Sequence, residues 1–138
     1  MSLFTYDIYD WSSWSRVYQS IDAWQPLIKH IFQKERLPFM PAEHLTPGTN
    51  AVFKVGNYVI KIFAPAESGI NCAIDIQTET FAMKRAEALG IPAPKCIACG
   101  FIEDKYCFSY LIMEYIRGRE FTNIADAVSY LLKCCARS

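Results

Sequence analysis

The segment from Asn50 to Phe63, NAVFKVGNYVIKIF, leaves a chain little conformational choice. Apolar residues flank Gly56-Asn57, a dipeptide that tolerates positive φ and so closes a two-residue hairpin. One strand is expected over Asn50–Val55 and the next over Tyr58–Phe63. Because side chains alternate along a strand, Lys61 shares a face with Val59 and Phe63, and a cation is thereby placed on an otherwise apolar surface. Ahead of the hairpin, Pro47, Gly48, Thr49 and Asn50 are small or turn-forming residues that suit close approach of backbone N–H groups to a ligand.

The whole chain has 138 residues, of which 52% are hydrophobic and 14% aromatic, enough for one domain with a substantial core. Lysines and arginines number 14 and so do aspartates and glutamates, which gives no basic footprint for nucleic acid. Residues 1–14 carry Asp7 and Asp10 and lack a basic n-region, so no secretion signal is expected. No uncharged apolar run approaches the roughly 18 residues of a membrane span. The expected setting is the cytoplasm, with no nucleic-acid or membrane partner. There Cys72, Cys96, Cys99, Cys107, Cys134 and Cys135 are expected to be reduced, buried or half-buried thiols. Zinc fits poorly, because adjacent Cys134-Cys135 strain one tetrahedral site and Cys96-x-x-Cys99 has no second C-x-x-C.

Between Ser13 and Leu37, Trp14, Val17, Ile21, Trp24, Ile28 and Ile31 recur at helical spacing. Pro26 divides the stripe into two expected helices, the second capped by Asp22 with Gln25 completing a capping box. The stripe reads as core packing against a sheet. A short strand is expected around His44–Thr46, then the hairpin, then a helix from near Asn71 to Leu89 ended by Gly90 and Pro92. Two strands follow, Lys95–Gly100 and Tyr106–Tyr115, with Glu103-Asp104-Lys105 at their turn, and a last helix starts near Asn123. This order predicts an α+β fold: a five-stranded antiparallel sheet with one helix inserted after the third strand, preceded by N-terminal helices.

Glu79 lies at helical spacing from Ile76, Ala82, Met83 and Ala86, which puts a carboxylate on the apolar face of the inserted helix. Read singly, Lys61 is more simply a solubilising strand lysine and Glu79 a solvated helix residue. Read together, each buried charge needs a partner, and each supplies the other's if that helix packs on the Lys61 face.

Tyr58-Val59-Ile60-Lys61, the helix with Glu79, and Leu111-Ile112-Met113-Glu114-Tyr115-Ile116 resemble the N-terminal lobe of the protein-kinase-like fold. Gly48 to Gly56 resembles the short nucleotide loop of the aminoglycoside phosphotransferase (small-molecule kinase) branch, and Gly90 to Gly100 its helix-to-strand junction. The resemblance spans about Leu45 to Phe121. It implies that ATP or GTP is bound with Mg²⁺, with Lys61 on the α- and β-phosphates and Glu79 orienting Lys61. Val52 and Val59 would lie on the adenine, Met113 at the gatekeeper position, and the Glu114 C=O and Ile116 N–H on the adenine edge.

The loop has one glycine, Gly48, where protein kinases use three, and phosphate cover by backbone N–H groups is smaller for it. The family's catalytic and metal-binding loops have no counterpart: neither His30 nor His44 is followed by Gly-Asp. The expected layout is therefore a helical segment at 1–41, a nucleotide-binding lobe at 42–121 and the start of a linker or second-lobe helix at 122–138. Such a chain would be a truncated phosphotransferase, inactive alone, whose parent phosphorylates a hydroxyl of a small molecule such as an aminoglycoside-type antibiotic. The alternative is a non-catalytic interaction module that uses an open cleft face for docking or self-association.

Overall fold

A computed structural model of the chain describes residues 2–45, 48, 50–69, 73–91 and 94–115. The expected strand at Thr46, loop residues Pro47 and Thr49, Pro92, Ile116, Cys72, Cys134, Cys135 and the helix from Asn123 lie outside these residues.

Helix α1 (Trp11–Val17) begins at Asp10, whose carboxylate accepts from the Ser13 N–H at 2.8 Å, while the Ser13 hydroxyl accepts from the Asp10 N–H at 3.0 Å. This reciprocal cap satisfies backbone donors that the first turn leaves unpaired. Helix α2 (Ile21–Lys34) begins at Ser20, whose Oγ accepts from the Ala23 N–H at 3.3 Å. That corrects the expected cap at Asp22: Asp22 is inside the first turn, where its charge faces the positive end of the helix dipole. The break between helices also falls before Ser20, not at Pro26, which sits exposed inside α2. Tight packing carries the helix through the proline, since Ala23, Trp24, Leu27 and Ile28 around it are all buried.

The sheet contains β1 (Ala42–His44), β2 (Ala51–Val55), β3 (Tyr58–Ile62), β4 (Cys96–Glu103) and β5 (Cys107–Glu114), in spatial order β1-β2-β3-β5-β4 and antiparallel throughout. Gly56 makes the β2–β3 turn with φ +62°, the left-handed value the dipeptide led one to expect. Strand β1 runs earlier than expected because Ala42 pairs with Val55 at the very end of the hairpin and is buried there. Strand β4 extends three residues past Gly100, since Phe101, Ile102 and Glu103 continue the ladder onto Ser109, Phe108 and Cys107.

Register assigns the two faces of the sheet. Tyr58, Ile60 and Ile62 lie opposite Glu114, Ile112 and Tyr110 on one face; Val59 and Lys61 lie opposite Met113 and Leu111 on the other. The helical layer covers the first face. Trp24 and Phe4 meet Phe108 edge-on at 5.1 and 5.2 Å, Phe32 meets Tyr58 at 6.1 Å, and the Trp24 indole N–H donates to the Val17 C=O at 3.0 Å. The leading residues are tied to the far end of the same layer. Asp104, in the β4–β5 turn, accepts from the N–H groups of Leu3 and Phe4 at 3.0 and 2.9 Å; the Tyr106 hydroxyl accepts from the Ile8 N–H, and Lys105 pairs with Asp7.

Helix α3 (Ala73–Ala88) crosses the second face, with Ala82, Met83 and Ala86 buried toward it. Its outer side carries Phe81, which is exposed. No described helix is long and apolar enough to cross a membrane.

Candidate functional site

Strand period and helix period converge on one spot. Lys61 projects from β3 onto the second face and Glu79 projects from α3 toward it, and the Lys61 ammonium is ion-paired and hydrogen-bonded to a Glu79 carboxylate oxygen. The side chains are 11% and 23% exposed, so most of the pair is withdrawn from water. Replacing such a pair by apolar side chains is often neutral or stabilising. Its presence on this face therefore has no explanation in stability alone. The Lys61 ammonium also stands 5.2 Å over the Phe63 ring, and the second Glu79 oxygen is buried without a hydrogen bond from any described group.

Around the pair the face is apolar. Val52 stands opposite Lys61 on β2, Leu111 opposite Lys61 on β5, and Met113 opposite Val59. Val52, Val59, Lys61 and Met113, four of the residues singled out from sequence, thus share one surface. Leu111 belongs with them, and its two-residue spacing from Met113 was the signal that could have placed it there. So does Lys54, opposite Val59: it pairs with Glu43 at 3.3 Å and lies 4.8 Å over the Tyr115 ring.

The other residues are placed differently. The Glu114 side chain is exposed on the opposite face from Met113, and its N–H donates to the Lys95 C=O at 3.0 Å. Gly48 is exposed, and a Cβ built on it would meet nothing within 4 Å. Asn50 is buried at the base of β2, where its side-chain oxygen accepts from the Ala64 N–H at 2.9 Å and ties the hairpin's two ends together.

The residues of this face that the structure describes are little exposed. Val52 is 5% exposed, Val59 3%, Lys61 9% and Met113 fully buried. An apolar surface of this kind costs about 25 cal/mol for each Å² left in water, so the chain gains by covering it. The described cysteines depart from expectation: Cys99 is exposed and Cys96 half-buried on the edge strand β4, and Cys107 is exposed at the start of β5, beside the β4–β5 turn. Among the described residues no three His, Cys, Asp or Glu side chains gather closely enough to hold a metal ion.

No family model matches the chain, and no curated protein matches it. Among solved structures it is similar to one described as a co-crystal of WbdD and the kinase inhibitor LY294002. The two share 25% identity at a TM-score of 0.35, over 64% of this chain and 21% of that one. The chain therefore spans about a fifth of that protein's length.

Proposed function

We propose that this chain is the nucleotide-binding lobe of an ATP-dependent phosphotransferase of the kinase-like type, whose acceptor is a hydroxyl on a small molecule such as an aminoglycoside-type antibiotic. The observation that carries the reading is the Lys61–Glu79 pair, held on a sheet face beside Val52, Val59, Leu111 and Met113. In this reading Val52 and Val59 pack on the purine of ATP or GTP and Met113 limits the depth of the pocket. The Glu114 C=O and the Ile116 N–H meet the purine edge. Lys61 neutralises phosphate charge, and Glu79 holds its ammonium in place.

Mg²⁺ accompanies the nucleotide in such reactions, but the described residues offer no cluster of carboxylates to ligate it. Metal binding and proton acceptance are accordingly assigned to none of them. Because the purine face is buried, a nucleotide must open it, and affinity is lowered by the fraction of chains that are open.

Titration with ATP, GTP and adenosine, followed by chemical shifts, tests the proposal. Binding on the order of 1 mM, about −4 kcal/mol, is expected, with shifts centred on Val52, Val59, Lys61 and Met113. Lys61→Ala should remove the difference between ATP and adenosine. Shifts confined to the opposite face, or none at millimolar nucleotide, would refute the assignment.

A further inference from the structure

Cys96 and Cys99 are three residues apart, a spacing that in a regular strand sends two side chains to opposite faces. A bulge in β4 reverses that outcome. Cys96 stands opposite Met113, Ala98 opposite Ile112 and Cys99 opposite Leu111, with Ile97 as the extra residue. Met113 and Leu111 share a face, so Cys96 and Cys99 share it too. Their partners are two residues apart, which at a rise of about 3.3 Å per residue sets the two Cα atoms about 6.6 Å apart. Disulfides accept Cα separations of about 4.4–6.8 Å and Cβ separations of about 3.5–4.5 Å, so closure needs the two side chains to lean toward each other at the bulge. Both thiols are free, Cys99 being exposed and Cys96 half-buried. Burial pushes the Cys96 thiol up, and the neighbouring Cys99 thiol adds to this while Lys84 opposes it. Cys107 is free and exposed as well, but it lies opposite Glu103, four residues from Leu111's position and about 13 Å along the strand.

We propose that Cys96 and Cys99 form a dithiol that a peroxide closes to an intrastrand disulfide, a reversible oxidation site on the edge of the sheet. Cys99, the exposed thiol, attacks as its thiolate: an S–O bond forms, the peroxide O–O bond breaks, and the departing oxygen takes up a proton to leave as water. The Cys96 sulfur then attacks the sulfenic sulfur of Cys99. An S–S bond forms, the S–O bond breaks, and the oxygen leaves as a second water carrying the Cys96 proton. The two thiols lose two electrons and one peroxide gains them; a small dithiol reductant reopens the bridge by exchange.

The test exposes the native chain to hydrogen peroxide, alkylates the remaining thiols and cleaves after lysine. Cleavage at Lys95 and Lys105 releases one peptide that holds Cys96 and Cys99 and no other cysteine. That peptide is expected unalkylated and two hydrogens lighter, returning to the doubly alkylated form after reduction. In the Cys96→Ser variant, Cys99 is expected to accumulate as sulfenic or sulfinic acid. A peptide that stays doubly alkylated, a bridge from Cys99 to Cys107, or closure slower by about tenfold in the native chain than in urea would each overturn the proposal.

Discussion

Gly100 stands opposite Tyr110, and a Cβ built at position 100 would lie 2.9 Å from the Tyr110 hydroxyl oxygen. That hydroxyl crosses the open space to donate to Glu35 Oε1 at 2.9 Å and to accept from Lys34 Nζ at 3.3 Å. Burial first, then the Glu35 carboxylate, pushes the phenol's pKa well up, so it remains a donor. The end of α2 is thus fastened to the sheet through a gap that only glycine leaves.

Gly100→Ala should therefore destabilise the fold by about 1–3 kcal/mol, the usual range for forcing a methyl group into filled space. Tyr110→Phe should cost about 1 kcal/mol for the lost hydrogen bond. Combined, the two should cost less than their sum, because the phenylalanine no longer presents the oxygen that meets the new methyl. Urea unfolding of the four proteins checks this, and strict additivity would contradict the geometry.

Glu79→Ala leaves the Lys61 ammonium without its carboxylate in a place 9% exposed. Exposed pairs are worth up to about 1 kcal/mol and removing one partner of a fully buried pair costs about 3–5 kcal/mol; about 2 kcal/mol is expected here. Lys61→Met, which refills the volume without charge, should be milder in the Glu79→Gln background than alone. A double-mutant cycle by thermal unfolding reads the coupling directly.

Pro26 occupies an exposed position in the interior of α2 and has no N–H for the Asp22 C=O. Pro26→Ala should stabilise the chain by about 1–2 kcal/mol, part of the helix-interior penalty of proline being offset by the freedom returned to the unfolded state. Calorimetry would show the higher Tm, and a lower one would mean that the proline ring itself packs.

Asp104 is pulled both ways. Burial raises its pKa, but the N–H groups of Phe4, Leu3 and Lys105 outweigh it and hold the carboxyl below its usual range. A depressed native pKa stabilises above the unfolded value, near pH 4, and that contribution is lost as pH falls through the native value. Acid should thus free the leading segment before the sheet. Amide exchange at Leu3 and Phe4 should accelerate below about pH 4 while exchange at Ile60 and Ile112 does not, and Asp104→Ala should bring the fast exchange to neutral pH.

The hairpin, its turn and the meeting of Lys61 with Glu79 were legible because each follows from a local period, 2.0 in the strand and 3.6 in the helix. What escaped depends on residues far apart in the chain. The start of α2 at Ser20 reflects a packing surface that carries a helix through Pro26, which local rules treat as a stop. The strapping of residues 3–8 to Asp104 and Tyr106 joins positions about a hundred apart, and no window of sequence contains both. The same holds for the bulge at Ile97, visible only against Met113, Ile112 and Leu111.

Strand β5 follows every other described strand in sequence yet occupies an inner place in the sheet, between β3 and β4. A chain emerging from the ribosome consequently makes its aromatic helical layer before the strand that Phe4 and Trp24 rest upon. Until Phe108 and its strand are made, the hairpin ends in an unpaired edge at β3. Vectorial production thus runs opposite to the order in which the core can close, and the nascent chain needs shelter for its indoles until residue 114 is free.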